Sequence, residues 1–158
     1  ARERLEAGLQ FLGYARLAGT TWIAPRPSGE VEALLAAAEI HADSFLASEP
    51  ADPVALARRA WDLDALGAAY RTWLADARTL LARDGGAEDG DETAYALRSR
   101  LVHEWRKFLF TDPALPRRLL PDDWPGDEAA AYFDTQATRL LPAAHRFVDA
   151  CLAPSGGT

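Results

Sequence analysis

The chain has 158 residues, 49% of them hydrophobic and 26% charged, and its 17 Lys and Arg against 24 Asp and Glu give a formal net charge of −7. That length supports one good core or two small ones, and that composition excludes disorder as the default state. The negative balance would repel a phosphate backbone, which argues against these residues gripping DNA by themselves. The single cysteine, Cys151, cannot form an internal disulfide; beside Val148 and Leu152 in an apolar helical run it is expected to be a buried, reduced thiol. No apolar run approaches the ~18 residues of a membrane span, and the N-terminus lacks the charged-then-apolar layout of a signal peptide. A cytoplasmic protein without a membrane partner is therefore expected. The sequence holds no methionine, even at position 1, which leads us to expect a fragment of a longer chain.

In chain order, Leu5, Leu9 and Leu12 mark one face of an opening helix, and Gly13 can take the left-handed conformation that ends helices. Tyr14 to Leu17 and Thr21 to Ala24 read as short strands joined by a turn at Ala18-Gly19-Thr20, and Pro25 and Pro27 stop the second strand. Ser28 can cap a second helix that buries Val31, Leu34, Leu35 and Ala38, and a last strand is expected around Asp43 to Ala47. The order α, β, β, α, β equals a ferredoxin-like βαββαβ unit without its first strand, which would be central in such a sheet. The unpaired neighbours of a missing strand invite a second chain, so a homodimer formed through this sheet is expected.

Pro50 and Pro53 mark the passage to an all-helical part, with Asp52 as cap and Pro53 in the first helical turn. The fold class is α+β: a partial ferredoxin-like domain over 1–49 and a helical domain over 50–158. Asp62 is a second cap, for a helix burying Leu63, Leu66, Tyr70, Trp73, Ala77 and Leu80. The Gly- and acid-rich segment 83–92 reads as a surface loop; counted from Asp89, its sixth and twelfth positions are Ala94 and Arg100, which do not make a calcium loop. From Asp91, an N-cap candidate, a helix to about Thr111 places Ala94, Leu97, Leu101, Trp105 and Phe108 on its core face, with Tyr95, Ser99, His103, Arg106 and Phe110 opposite. Asp112-Pro113 opens a short helix, and a last helix runs from about Asp127 to Leu152 with an expected bend or division at Pro142. The tail from Pro154 should fray.

The segments HEWRK and FTDPALPRRLLPDDWPG, with WDLDALGAAYRTWL and GLQFLGYARLAGTTWIAPR upstream, resemble the PaaX family of bacterial transcriptional regulators. These are four separate blocks in the family's order, covering nearly the whole chain. The resemblance implies a central ferredoxin-like domain and a C-terminal helical domain, with the family's N-terminal winged helix-turn-helix absent from this sequence. It also implies a repressor of aromatic-acid catabolism such as phenylacetate degradation, released by an acyl-CoA thioester like phenylacetyl-CoA. Operator DNA would then be a partner only through the winged helix that this chain lacks.

Other chemistries find little support. His103-Glu104 begins an HExxH pattern, but Lys107 stands where the second histidine would be, and His41, His103 and His145 do not fall at ligand spacing, so no metal is expected. Ser99 precedes His103 by one helical turn without an elbow or oxyanion hole, and Gly8, Gly13 and Gly19 do not make a dinucleotide fingerprint. No catalytic residue and no cofactor are assigned, and an enzyme is not expected. An acyl-CoA effector instead needs cationic donors for its phosphates, an aromatic plate and an apolar slot. The candidate effector residues are Tyr70, His103, Arg106, Lys107, Arg117, Arg118 and Trp124, each of which also has a structural reading as core, ion-pair or solvated residue. Two rival readings stay open: a purely structural dimerisation module, and a thioester or phosphodiester hydrolase.

Overall fold

A computed structural model of the chain describes residues 2–47, 51–84 and 90–153. The chain is mostly helical: α1 (Arg2–Phe11), β1 (Ala15–Ala18), β2 (Thr21–Ile23), α2 (Val31–Ala37), α3 (Pro53–Ala60), α4 (Leu63–Asp84), α5 (Asp91–Trp105), α6 (Phe108–Thr111) and α7 (Gly126–Leu152), with a 3₁₀ turn at Arg117–Leu119 before α7. It divides into two compact units, one of Ala1–Leu66 and Phe108–Trp124, the other of Gly67–Lys107 and Pro125–Thr158.

In the first unit, local chemistry sets most boundaries. Gly13 ends α1 with φ +84°, and the N–H groups of Gly13 and Tyr14 donate to the carbonyls of Gln10 and Leu9, so two carbonyls that the helix end would orphan are satisfied. The chain then turns directly into β1, which pairs antiparallel with β2 in the register Ala15 with Ile23 and Arg16 with Trp22, irregular between Arg16 and Ala18. Arg16 pairs with Glu6 and its guanidinium lies 5.1 Å from the centre of the Trp22 ring. Glu6 is held below the usual carboxylate range first by its hydrogen bond from Arg2 and then by Arg16. Its folded value being depressed, the stabilisation from these pairs is complete above the ordinary carboxylate value and is lost as pH falls through the folded one.

Helix α2 packs on α1 at Gly8, where an added Cβ would lie 2.6 Å from Leu34 Cδ1. It ends as α1 does, with Glu39 N–H donating to Ala36 and Ile40 N–H to Leu35, but the left-handed position is filled by Glu39, at φ 56°. A side chain is costly there, so Glu39→Gly is expected to raise stability by about 0.5–1 kcal/mol, read as a higher urea midpoint at unchanged slope. The two aspartate caps form as expected: Ala55 N–H donates to Asp52 Oδ1 at 2.9 Å and Ala65 N–H to Asp62 Oδ1 at 2.9 Å.

The second unit is organised by α5 against α7. Arg146 meets Asp91, Arg98 Nε donates to the Ala137 carbonyl at 3.1 Å and Trp105 stacks on Phe133, so the two helices run antiparallel. Ala94, Leu97 and Leu101 from α5 and Ala137, Leu140 and Ala144 from α7 are buried, and the small residues permit close approach of the two backbones.

Four expectations are corrected. Residues 41–47 form neither helix nor strand, with Phe45 and Leu46 81% and 85% exposed; the sheet among the described residues consists of β1 and β2, so the strand expected around Asp43 to Ala47 has no backbone to pair with. The helix expected from Asp91 to Thr111 is interrupted at Arg106–Lys107, between Trp105 of one unit and Phe108 of the other, although residues 103–110 contain neither glycine nor proline. Ser28 does not cap α2; its Oγ accepts from Glu30 N–H at 3.3 Å one turn early, leaving Glu30 as the cap residue. Of the two outcomes open at Pro142, α7 continues through it undivided; the residue is exposed, so the carbonyl it leaves without a donor can turn to water. Cys151 is exposed, because Arg146 already stands level with Asp91, where α5 begins, and the next five residues carry α7 about 7.5 Å further. Of the loop expected over 83–92, residues 83–84 close α4 and 91–92 open α5 after Gly90, while 85–89 and the tail from Pro154 lie outside the described residues.

Candidate effector site

The seven candidate residues fall in both units. Tyr70, His103, Arg106 and Lys107 belong to the second, and Arg117, Arg118 and Trp124 to the first. Tyr70, 4% exposed, and Trp124, 7% exposed, are core residues. Tyr70 packs on Trp105 with ring centres 5.9 Å apart, inside an aromatic cluster that includes Trp73, 4.9 Å from Trp105, and Phe133, stacked on Trp105 at 4.7 Å and 7°. His103, Arg106 and Lys107 are exposed around the end of α5.

Arg117 has a defined structural task. Its Nη1 donates to the carbonyls of Leu120 at 3.5 Å and Pro121 at 2.7 Å, and its Nη2 to the carbonyl of Asp122 at 2.7 Å. The guanidinium fork thereby folds the LLPDD segment back on the 3₁₀ turn, a geometry that a lysine ammonium does not reproduce. Arg117→Ala should cost about 1 kcal/mol, because exposed carbonyls regain water, and Arg117→Lys should recover little of it; urea unfolding of the two variants checks this. Arg118, beside it, is exposed. Arg98, on α5, is occupied in joining that helix to α7.

The sequence reading missed an open cleft of about 630 Å³ contained in the first unit. It lies between the end of α1, the loop after β2, the α3–α4 junction and α6, with Phe11, Tyr14, Arg26, Trp61 and Phe110 among its walls. Phe11 and Phe110 stack at 5.3 Å and 22° while staying 60% and 46% exposed. The available signal was Phe11 itself, which falls off the Leu5, Leu9, Leu12 stripe and so points away from the helix's buried face.

The PaaX-like protein C-terminal domain, as a family, matches residues 61–150, more than half of the chain. The chain belongs to the PaaX-like family. It is 31% identical over 151 residues to the transcriptional repressor PaaX of Escherichia coli strain K12, over 89% of this chain and 48% of that repressor. It therefore spans about half the length of this PaaX relative. An uncharacterized protein from Mycobacterium tuberculosis has a similar fold, with a TM-score of 0.54 and 24% identity over 90% of this chain and 54% of that one. The PaaX-like match includes the aromatic cluster of α4, α5 and α7 and all seven candidate residues. Among the described residues no helix is long and apolar enough to cross a membrane.

Proposed function

We propose that this chain is the effector-sensing and dimerisation part of a PaaX-like repressor of an aromatic-acid catabolic operon, relieved by an acyl-CoA thioester such as phenylacetyl-CoA. The observation that carries this reading is the family match over residues 61–150, supported by the similarity to a repressor over nearly the whole chain. Regulation rather than catalysis is the role in keeping with that relationship. Residues 1–49 are the partial ferredoxin-like domain of this reading and 50–158 its helical domain. A strand from a second chain would add along the free edge of β2, which supplies the homodimer; a monomer by light scattering at high concentration sinks that part. The dimer holds two winged helices, carried outside this sequence, at a spacing set for operator DNA, and the effector acts by preferring a different spacing. In the cytoplasm, where acyl-CoA thioesters are made, His103, Arg106 and Lys107 of the second unit and Arg118 of the first are each exposed donors that suit a phosphate, and Tyr70, Arg117 and Trp124 complete the candidate residues of this reading.

Thermal unfolding across a panel of acyl-CoA thioesters, with free CoA and free phenylacetate as controls, tests the reading. A thioester at ~100 times its dissociation constant adds about 2.7 kcal/mol, a rise of roughly 5–11 °C in Tm for a chain of this length. A rise with one thioester, abolished by Arg106→Ala and Arg118→Ala together, is the expected result. No rise with any thioester would favour the dimerisation scaffold, and turnover of a thioester that depends on His103 would favour the hydrolase.

A further inference from the structure

We infer that the cleft of the first unit is a binding site for a small molecule that carries a planar ring and an anionic group; the inference rests on the reading that this chain senses a small molecule, and places the ligand's ring and charge on residues outside the seven candidates. Its volume of about 630 Å³ falls within the range of roughly 300–1,000 Å³ found for small-molecule sites. The stacked pair of Phe11 and Phe110 stays about half exposed as residues, an arrangement that costs hydration of apolar area unless a further flat group covers it. Tyr14 and Trp61 stand on the same cleft, so its walls are aromatic on more than one side.

The anion's partner is Arg26. It lies on the cleft between Pro25 and Pro27, whose fixed φ angles stiffen the segment that presents it. It makes no ion pair with another described residue, whereas the cleft's other arginine, Arg16, is already paired with Glu6 and laid over Trp22. The acids on the cleft do not answer Arg26 either: Asp62 accepts from Ala65 N–H and Asp112 from Ala114 N–H at 2.7 Å. A guanidinium without a carboxylate, held beside an exposed aromatic plate, matches a carboxylate or phosphate joined to a planar ring.

Isothermal titration of the whole chain with phenylacetate, adenosine monophosphate and phenylacetyl-CoA tests this, using Arg26→Ala, Phe110→Ala, Arg106→Ala and, as a control for loss of one surface charge, Arg139→Ala. Both cleft residues are exposed, and circular dichroism confirms that each variant is folded. At least one probe should bind, with an affinity that drops about tenfold or more in Arg26→Ala and in Phe110→Ala and is unchanged in Arg139→Ala. Phenylacetate alone binding in this way identifies a free aromatic acid as the ligand, and adenosine monophosphate binding in this way identifies the nucleotide part of a larger one. If phenylacetate or the nucleotide binds through Arg26 but phenylacetyl-CoA does not bind, the cleft stands and the thioester reading falls. Phenylacetyl-CoA binding that survives Arg26→Ala and is lost in Arg106→Ala overturns the cleft and leaves the sensing role intact. Absence of binding by all three probes overturns the cleft.

Discussion

Trp73→Ala is expected to destabilise the chain by about 3–5 kcal/mol, the usual cost of truncating a buried aromatic to alanine. Trp73 is 3% exposed and its ring meets Trp105 edge-on at 4.9 Å and 64° and Phe133 at 6.2 Å and 62°. The loss therefore has two parts, the apolar area returned to water on unfolding and the cavity left among rings that cannot close over it. The neighbours are themselves fixed, since Trp105 lies flat on Phe133 at 4.7 Å and against Tyr70, so relaxation into the hole would break those contacts too. Urea unfolding followed by near-ultraviolet circular dichroism measures the change, and Trp73→Phe, which keeps a ring, should retain a good part of the stability. A coupling of about 0.5–1.5 kcal/mol is expected in a double-mutant cycle between Trp73 and Trp105. A cost below about 1 kcal/mol for Trp73→Ala would mean that the cluster is not the core of its unit.

This cluster was legible in the sequence because Tyr70, Trp73, Ala77 and the leucines of α4 repeat at helical spacing, and periodicity is a local property. The same holds for Asp52 and Asp62, whose capping bonds span three residues, and for the turn at Gly19, which takes φ 52°. What failed depended on partners distant in sequence. Phe45 and Leu46 have a strand's composition, but a strand exists only where another backbone pairs with it. Cys151 continues the apolar stripe of α7 past the level at which α5 begins, which no pattern within α7 reveals. The break at Arg106–Lys107 has no glycine or proline to announce it. Among the candidate site residues, residue type indicated the chemistry available but not burial or prior engagement: Tyr70 and Trp124 are core, and Arg117 already serves three backbone carbonyls. The cleft was invisible because Phe11 and Phe110 are 99 positions apart, and each alone is an ordinary exposed apolar residue.

Leu101→Ala should cost about 2–5 kcal/mol, and Leu101→Met less than about 1.5 kcal/mol. Leu101 is 1% exposed, two turns along α5 from Ala94 and one from Leu97, on the stripe that faces α7. The helix pair is held along its length, by Asp91 with Arg146 at one end, Arg98 with the Ala137 carbonyl further along and Trp105 with Phe133 at the other end. Helices so fixed cannot slide together to fill a missing side chain, which places the expected cost of Leu101→Ala toward the upper part of that range. Methionine keeps the volume and can bend to the same space, hence the smaller figure. The contrast that decides the argument is with Asp91→Asn. That change removes the charge from a bidentate pair whose side chains remain 62% and 40% exposed, and solvent screening leaves such pairs little net effect. Its urea midpoint should stay near that of the parent while that of Leu101→Ala falls well below it. Equal losses in the two variants would mean that the ion pair, rather than the buried stripe, joins α5 to α7.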